Sequence, residues 1–262
     1  MIPARAGWWG MSQNNGRKVY TKGMSFIITL YVREGMVMAS DSRLSLNRTR
    51  PEEGKRVLET AICQSDAVYK TCLAQGRIGI STYGAADVQG VPIAGFIESF
   101  LNEHLPENCP VDEVPAKLLG YFRSLAGPPD TGFLVAGYKA NGRAMEQHLW
   151  EVTVAANECC RVNAPGNHGA SWRGVTDVLA RLIQPVGVQA EGKFEPYPSY
   201  SIEWGYFTLQ DAIDYAIFAV KVTIDEMRFH TRAETVGGPI DVLVIKPHEA
   251  FWVQHKELHG QH

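Results

Sequence analysis

The sequence predicts an α+β fold in which antiparallel sheets are covered by helices. Three observations predict it. Apolar runs pair around tight turns over residues 25–39 and again over 68–84. Two helical stretches follow, over 87–101 and 112–125, and lead into a further strand pair over 131–154. A long amphipathic helix over 208–232 and a strand from Ile240 to Ile245 come last.

The first hairpin is the most informative element. Ser25 to Tyr31 is rich in β-branched and aromatic residues, Arg33-Glu34-Gly35 is turn chemistry, and Met36 to Ala39 is a second apolar run. That second run delivers a polar tetrapeptide, Ser40-Asp41-Ser42-Arg43. Residues 44–66 are polar and turn-rich and read as an exposed excursion between strands. Val68 to Gly84 reads as a strand, a Gln75-Gly76 turn and a strand.

Asp87 is a candidate helix N-cap, with Pro92 tolerated in the first turn. Gly127-Pro128-Pro129 ends the second helix, and Asn141-Gly142 marks a hairpin between Thr131–Tyr138 and Gln147–Val154. A glycine-rich turn around His168 precedes a predicted helix from Ser171 to Ile183, and the proline-rich residues 184–206 read as an inserted loop. In the helix over 208–232, Leu209, Ala212, Ile213, Ala216, Ile217, Val220, Ile224 and Met227 recur at three and four residues. Thr208 caps it, with Asp211 three residues on.

Composition narrows the function classes. The chain has 262 residues, 45% hydrophobic and 20% charged, with a formal net charge of −3. That balance gives no basic patch for nucleic acid or an anionic membrane. No apolar run approaches the roughly 20 residues of a membrane span. Residues 1–23 lack the apolar segment of a secretory signal. Five cysteines with no C-x-x-C pair fit a reduced, cytoplasmic protein.

The hydroxyl residue, strand, acidic-Gly turn and strand ending A-S-D-S-R resemble the N-terminal hairpin of proteasome β-type subunits and of the bacterial ring protease HslV, both N-terminal-nucleophile (Ntn) hydrolases. The resemblance implies a four-layer αββα sandwich of two antiparallel sheets between helices. It puts Ser25 at the nucleophile position, where the family's usual residue is Thr, and matches Asp41 and Arg43 to the acidic and basic residues after the second strand. Lys70 matches the catalytic lysine, Gly84 the glycine whose N–H forms the oxyanion hole, and Leu44, Val68, Thr82 and Ala86 a mostly apolar specificity pocket. The family's supporting Ser falls on Gly169 here. Its Asp and Ser before the paired glycines fall on Ala233 and Val236, with Glu234 and Thr235 between.

A free α-amine on Ser25 would place a base of pKa roughly 7.7–8.0 beside a nucleophilic hydroxyl. Residues 1–24 are therefore an extension: a propeptide, a retained arm, or sequence upstream of translation starting at Met24. Residues 25–250 form the expected single domain and 251–262 a tail. The implied function is hydrolysis of peptide or other amide bonds, without cofactor or metal, in a homo-oligomer that could be a ring. The alternative is an inactive scaffold or binding protein of the same fold. His255, His259 and His262 read as surface histidines and His168 as a loop histidine. Cys159-Cys160 reads as a buried strand end. No Walker motif or dinucleotide glycine pattern is present.

Overall fold

A computed structural model describes residues 25–257 except 53, 54 and 199, and for residues 46–61 it describes the backbone alone. The chain is α+β, with its main strands in two five-stranded antiparallel sheets. Strands β1 (Phe26–Val32) and β2 (Gly35–Ser40) form the first hairpin, in register from Ile27 opposite Ser40 to Val32 opposite Gly35. β3 (Leu44–Glu52) and β4 (Lys55–Ser65) pair as a separate ribbon, so the predicted excursion is a long hairpin. β5 (Thr71–Ala74) and β6 (Ile78–Gly84) form the second hairpin expected from the sequence.

The first helical region departs from expectation at its start. Asp87 lies in a two-residue hairpin, β7 (Asp87–Val88) with β8 (Val91–Pro92), where its carboxylate accepts from the Gly90 N–H at 2.8 Å. Helix α1 (Ile93–Ser99) begins behind Pro92 and runs into a π-helical turn, Phe100–His104. A proline fits there because the N–H it lacks would have no intrahelical partner. Helix α2 (Val114–Ser124) leads to β9 (Thr131–Asn141) and β10 (Ala144–Thr153), and β11 (Glu158–Arg161) adds to β10. Cys159 and Cys160, expected to be buried, are exposed on that edge strand.

The predicted helix from Ser171 to Ile183 opens as a strand. β12 (Gly169–Gly174) pairs with β1, and only α3 (Asp177–Ile183) is helical. Satisfying the open edge of β1 outweighs local helical spacing in this stretch. Residues 184–206 hold a small hairpin, β13 (Gly187–Ala190) with β14 (Lys193–Pro196), and a 3₁₀ turn, Trp204–Tyr206. Helix α4 (Leu209–Phe229) starts with the predicted capping box: Thr208 N–H donates to Asp211 at 2.8 Å and Asp211 N–H to Thr208 Oγ1 at 3.2 Å. β15 (Asp241–Ile245) pairs with β2, and β16 (Ala250–Gln254) pairs with β15, so residues 251–254 belong to a sheet rather than to a tail.

One sheet runs β12-β1-β2-β15-β16 and the other β11-β10-β9-β6-β5. Alternation along each strand sorts side chains between partners. In β1 and β2, Phe26, Ile28, Leu30, Val37 and Ala39 pack with Ala212, Ala216 and Val220 of α4, while Ile27, Met36 and Met38 pack with Leu134, Ala136 and Leu149 of the other sheet. On β9, Phe133 and Val135 instead meet Ile97, Leu118 and Phe122 of the first two helices. β1 and β2 are thus buried almost throughout. Each large apolar side chain removed from water there contributes about 1.5–3 kcal/mol, so the hairpin is anchored on both faces.

Candidate functional site

Ser25 precedes β1 and is 6% exposed. Its carbonyl accepts from Val175 N–H at 2.7 Å. Phe26 faces Gly174 across the sheet, and Gly174 has φ +89°. A Cβ there would lie 1.8 Å from the Ser25 carbonyl oxygen, so only glycine permits this approach. Gly169, where the resemblance put a supporting residue beside the nucleophile, sits at the far end of β12 opposite Tyr31. That register is corrected by five residue pairs along the strand, and Gly174 and Val175 are the neighbours of Ser25.

Asp41 is the hub of the site and is fully buried. Its Oδ1 accepts from Phe26 N–H at 3.0 Å and from Lys70 Nζ at 2.8 Å. Its Oδ2 accepts from Arg43 N–H at 3.2 Å and Gly237 N–H at 3.0 Å. One carboxylate therefore ties the start of β1, the end of β2, the glycine turn before β15 and the lysine. A buried charge needs this degree of compensation.

Lys70 is 5% exposed. Burial lowers its pKa from the ordinary lysine value, against the pull of Asp41, and the nearby Lys256 and Arg43 charges lower it further. Its carbonyl accepts from Thr82 N–H at 2.8 Å, which fixes it to β6. The sequence pairs Arg43 with the Asp41 shell, but only its backbone N–H reaches that carboxylate. The guanidinium forms a bidentate pair with Asp66, at 2.7 and 2.9 Å, and donates to Glu234 Oε2 at 3.1 Å. The hydrogen bonds from Arg43 hold the Asp66 carboxyl below its usual range. Glu234, between the positions of the two missing family residues, thus joins the periphery of the site.

Ser25, Lys70, Leu44, Val68, Thr82 and Ala86 all line one pocket. All four sequence-predicted pocket residues are therefore brought together with the serine and the lysine. Arg43, Ser45, Tyr83, Ala85 and Ile93 complete the lining. Gly84 ends β6 opposite Thr131 with φ +97°, between two lining residues. The Tyr83 hydroxyl donates to Glu151 Oε1 at 2.8 Å, and Glu151 also holds Arg173. Burial pushes the Tyr83 phenol pKa up.

Sequence reasoning missed Asp66, Ser45, Tyr83, Ala85, Ile93 and Gly174. Ser45, Tyr83 and Ala85 each adjoin a residue it selected. Gly174 could be found only once β12 was known to be a strand. No cluster of three or more His, Cys, Asp or Glu suited to a metal occurs among the described residues. His255 stacks on Trp252 with ring centroids 3.9 Å apart, while His259 and His262 lie outside the described residues. No helix among the described residues is long and apolar enough to cross a membrane.

No family model matches the chain, and no curated protein matches it. Among solved structures it is similar to Anbu from Hyphomicrobium sp. strain MC1, with TM-score 0.52 and 11% identity over 88% of each chain. It is similar also to an Anbu (Gly-1) mutant from the same strain, with TM-score 0.52 and 13% identity over 88% of this chain and 86% of that one. At such identity the likeness is one of fold. The place among proteasome β-type subunits and HslV implied by the hairpin motif is thereby corrected: the neighbours are Anbu structures, and no family model supports that assignment.

Proposed function

We propose that the chain is an N-terminal-nucleophile hydrolase of peptide or other amide bonds, built as a four-layer αββα sandwich that starts at Ser25 and takes in β16 to Gln254. Ser25 is the nucleophile, and its α-amine, freed when residues 1–24 are absent, is the base. The observation that carries this reading is a buried serine sharing a pocket with a buried lysine whose counter-ion, Asp41, is held by three backbone N–H groups.

In this mechanism Ser25 Oγ attacks the carbonyl carbon and its proton passes to the α-amine. The developing oxyanion is met by the N–H of Gly84; loss of one such donor typically costs about 3 kcal/mol. The amine returns the proton to the leaving nitrogen, and water then hydrolyses the ester to Ser25. The Lys70 cation, oriented by Asp41, stabilises the alkoxide and disfavours protonation of the adjacent amine. Arg43, anchored by Asp66, fixes the backbone that leads into Leu44 at the pocket wall. Leu44, Val68, Thr82 and Ala86 contact the substrate.

We also propose a cytoplasmic homo-oligomer without a metal or cofactor. All five cysteines are free thiols, as a reducing compartment would keep them. Val188, Phe194 and Tyr197 are exposed on and next to the β13–β14 hairpin, side chains of the kind that subunit contacts cover. A second reading, an inactive scaffold, is favoured by Ala233 and Val236, which offer no polar side chain to a Ser25 amine.

The test is intact-mass measurement of the protein from its native host, followed by incubation with a peptide ester and acid quench. A chain starting at Ser25 that gains one acyl group on that residue supports the hydrolase. A chain starting at Ser25 that forms no adduct and cleaves no peptide or simple amide supports the scaffold.

A further inference from the structure

In the pocket beside Ser25, Lys70, Arg43, Thr82 and Tyr83 all have hydrogen-bond or ion-pair partners, and one hydroxyl of the lining does not. Ser45 lines the pocket, is 1% exposed, and its Oγ has no hydrogen-bond partner among the described residues. A buried hydroxyl without a partner is costly and calls for an explanation. The other hydroxyl in the lining beside Ser25 and Tyr83 is differently placed: Thr82 Oγ1 has Thr131 Oγ1 and the Gly132 carbonyl, each at 3.4 Å.

Resting on the hydrolase reading, we propose that Ser45 determines specificity: its hydroxyl pairs with a neutral hydrogen-bonding group, a hydroxyl or carboxamide, on a short substrate side chain beside the scissile bond. A charged side chain fits poorly because both cations of the lining are already engaged, Lys70 by Asp41 and Arg43 by Asp66 and Glu234. A charge set against a lone hydroxyl would be desolvated without a counter-ion. An aliphatic side chain fits sterically but leaves Ser45 Oγ buried and unpaired. The free space is narrow, which favours the short side chains of Ser, Thr or Asn over long or aromatic residues. Rejection of the apolar isostere is worth roughly tenfold to a hundredfold.

The test is calorimetric binding of acetyl-capped tripeptide amides to the chain with Ser25 as its first residue, the form in which the proposed base is free. The peptides differ only in the last residue and are compared as Thr with Val and Ser with Ala. The expected result is tighter binding of Thr and Ser peptides by roughly tenfold or more, abolished in Ser45→Ala. Without peptide, Ser45→Ala is expected to melt no lower than the parent, since it removes an unpaired buried hydroxyl. A lower melting temperature would reveal a structural partner and overturn the proposal. Equal binding of Thr and Val peptides, or no binding at all, would also overturn it. Hydrolysis of the same peptides is read separately. Ser45-dependent preference without hydrolysis keeps this inference and defeats the hydrolase, whereas hydrolysis without preference does the reverse.

Discussion

Two buried lysine–carboxylate pairs lie close together in this protein, and they differ in what they face. In one, Lys70 meets Asp41 at 2.8 Å beside the pocket that holds Ser25. In the other, Lys256 meets Asp241, a residue paired across the sheet with Ser40. The second pair is closed off by aromatic groups. The Lys256 ammonium sits 4.4 Å from the ring centroid of Tyr69, whose hydroxyl donates to the Lys256 carbonyl at 3.0 Å. Asp241 also accepts from Lys256 N–H at 2.9 Å. Two pairs of the same chemistry thus have different settings: one borders the pocket that holds Ser25, and the other straps the segment at Lys256 onto β15 beside Tyr69. Burial of a charge pair alone does not single out a candidate site; the pocket beside Lys70 is what sets it apart from Lys256.

The comparison can be broken by truncating each lysine. Lys70→Ala is expected to reduce amide hydrolysis by about a hundredfold or more. It also costs about 3 kcal/mol of stability by leaving Asp41 without its cation. Lys256→Ala is expected to cost a similar 3–5 kcal/mol in denaturant titration while the folded chain keeps the proposed hydrolysis within about tenfold. Equal loss of activity in both variants, assayed where both are folded, would erase the distinction.

Ser25→Thr is a smaller change, since Thr offers the same hydroxyl and α-amine. Its hydrolysis rate is expected to stay within about tenfold of the parent, and a folded but dead variant would mean that the site is built differently. The smallest effect is on pH. Burial first, and then the Lys256 and Arg43 charges, lower the Lys70 pKa below its ordinary value. Between that lowered value and the unfolded value of roughly 10.4, the unfolded chain binds the extra proton, so this residue's contribution makes the fold more stable as pH rises through the window. The stability difference between the parent and Lys70→Ala should show that slope. In Lys256→Ala, the lower edge of the window moves to higher pH.

Much of the site was legible because its residues sit at strand ends with fixed spacing. Asp41 and Arg43 follow an apolar strand, and Lys70 and Thr82 flank one hairpin, so the motifs that carried the resemblance lay at positions that the fold brings together with Ser25. The long helix was legible because Thr208, Asp211 and the apolar stripe agree. What was not legible depends on pairing between distant segments. The stretch after Gly169 reads locally as a turn and a helix start, yet the open edge of β1 draws it into the sheet. That pairing sets Gly174, rather than Gly169, beside Ser25. The Arg43–Asp66 pair closes across the β3–β4 ribbon, and the Lys256–Asp241 strap joins the last described residues to the central sheet. The unpartnered hydroxyl of Ser45 is a property of packing that no spacing reveals. The family assignment failed for a related reason: short motifs matched in order, while identity to the structural neighbours is only 11–13%.

The central claim is that the α-amine of Ser25 is the base. It is tested most directly by preparing the chain with Ser25 as its first residue and comparing amide hydrolysis by this chain and by the same chain acetylated on that amine. The expected result is activity in the free chain and loss by about a hundredfold or more on acetylation. Equal activity in the two would contradict the claim and assign the proton to Lys70, in a serine–lysine pair working without the terminus.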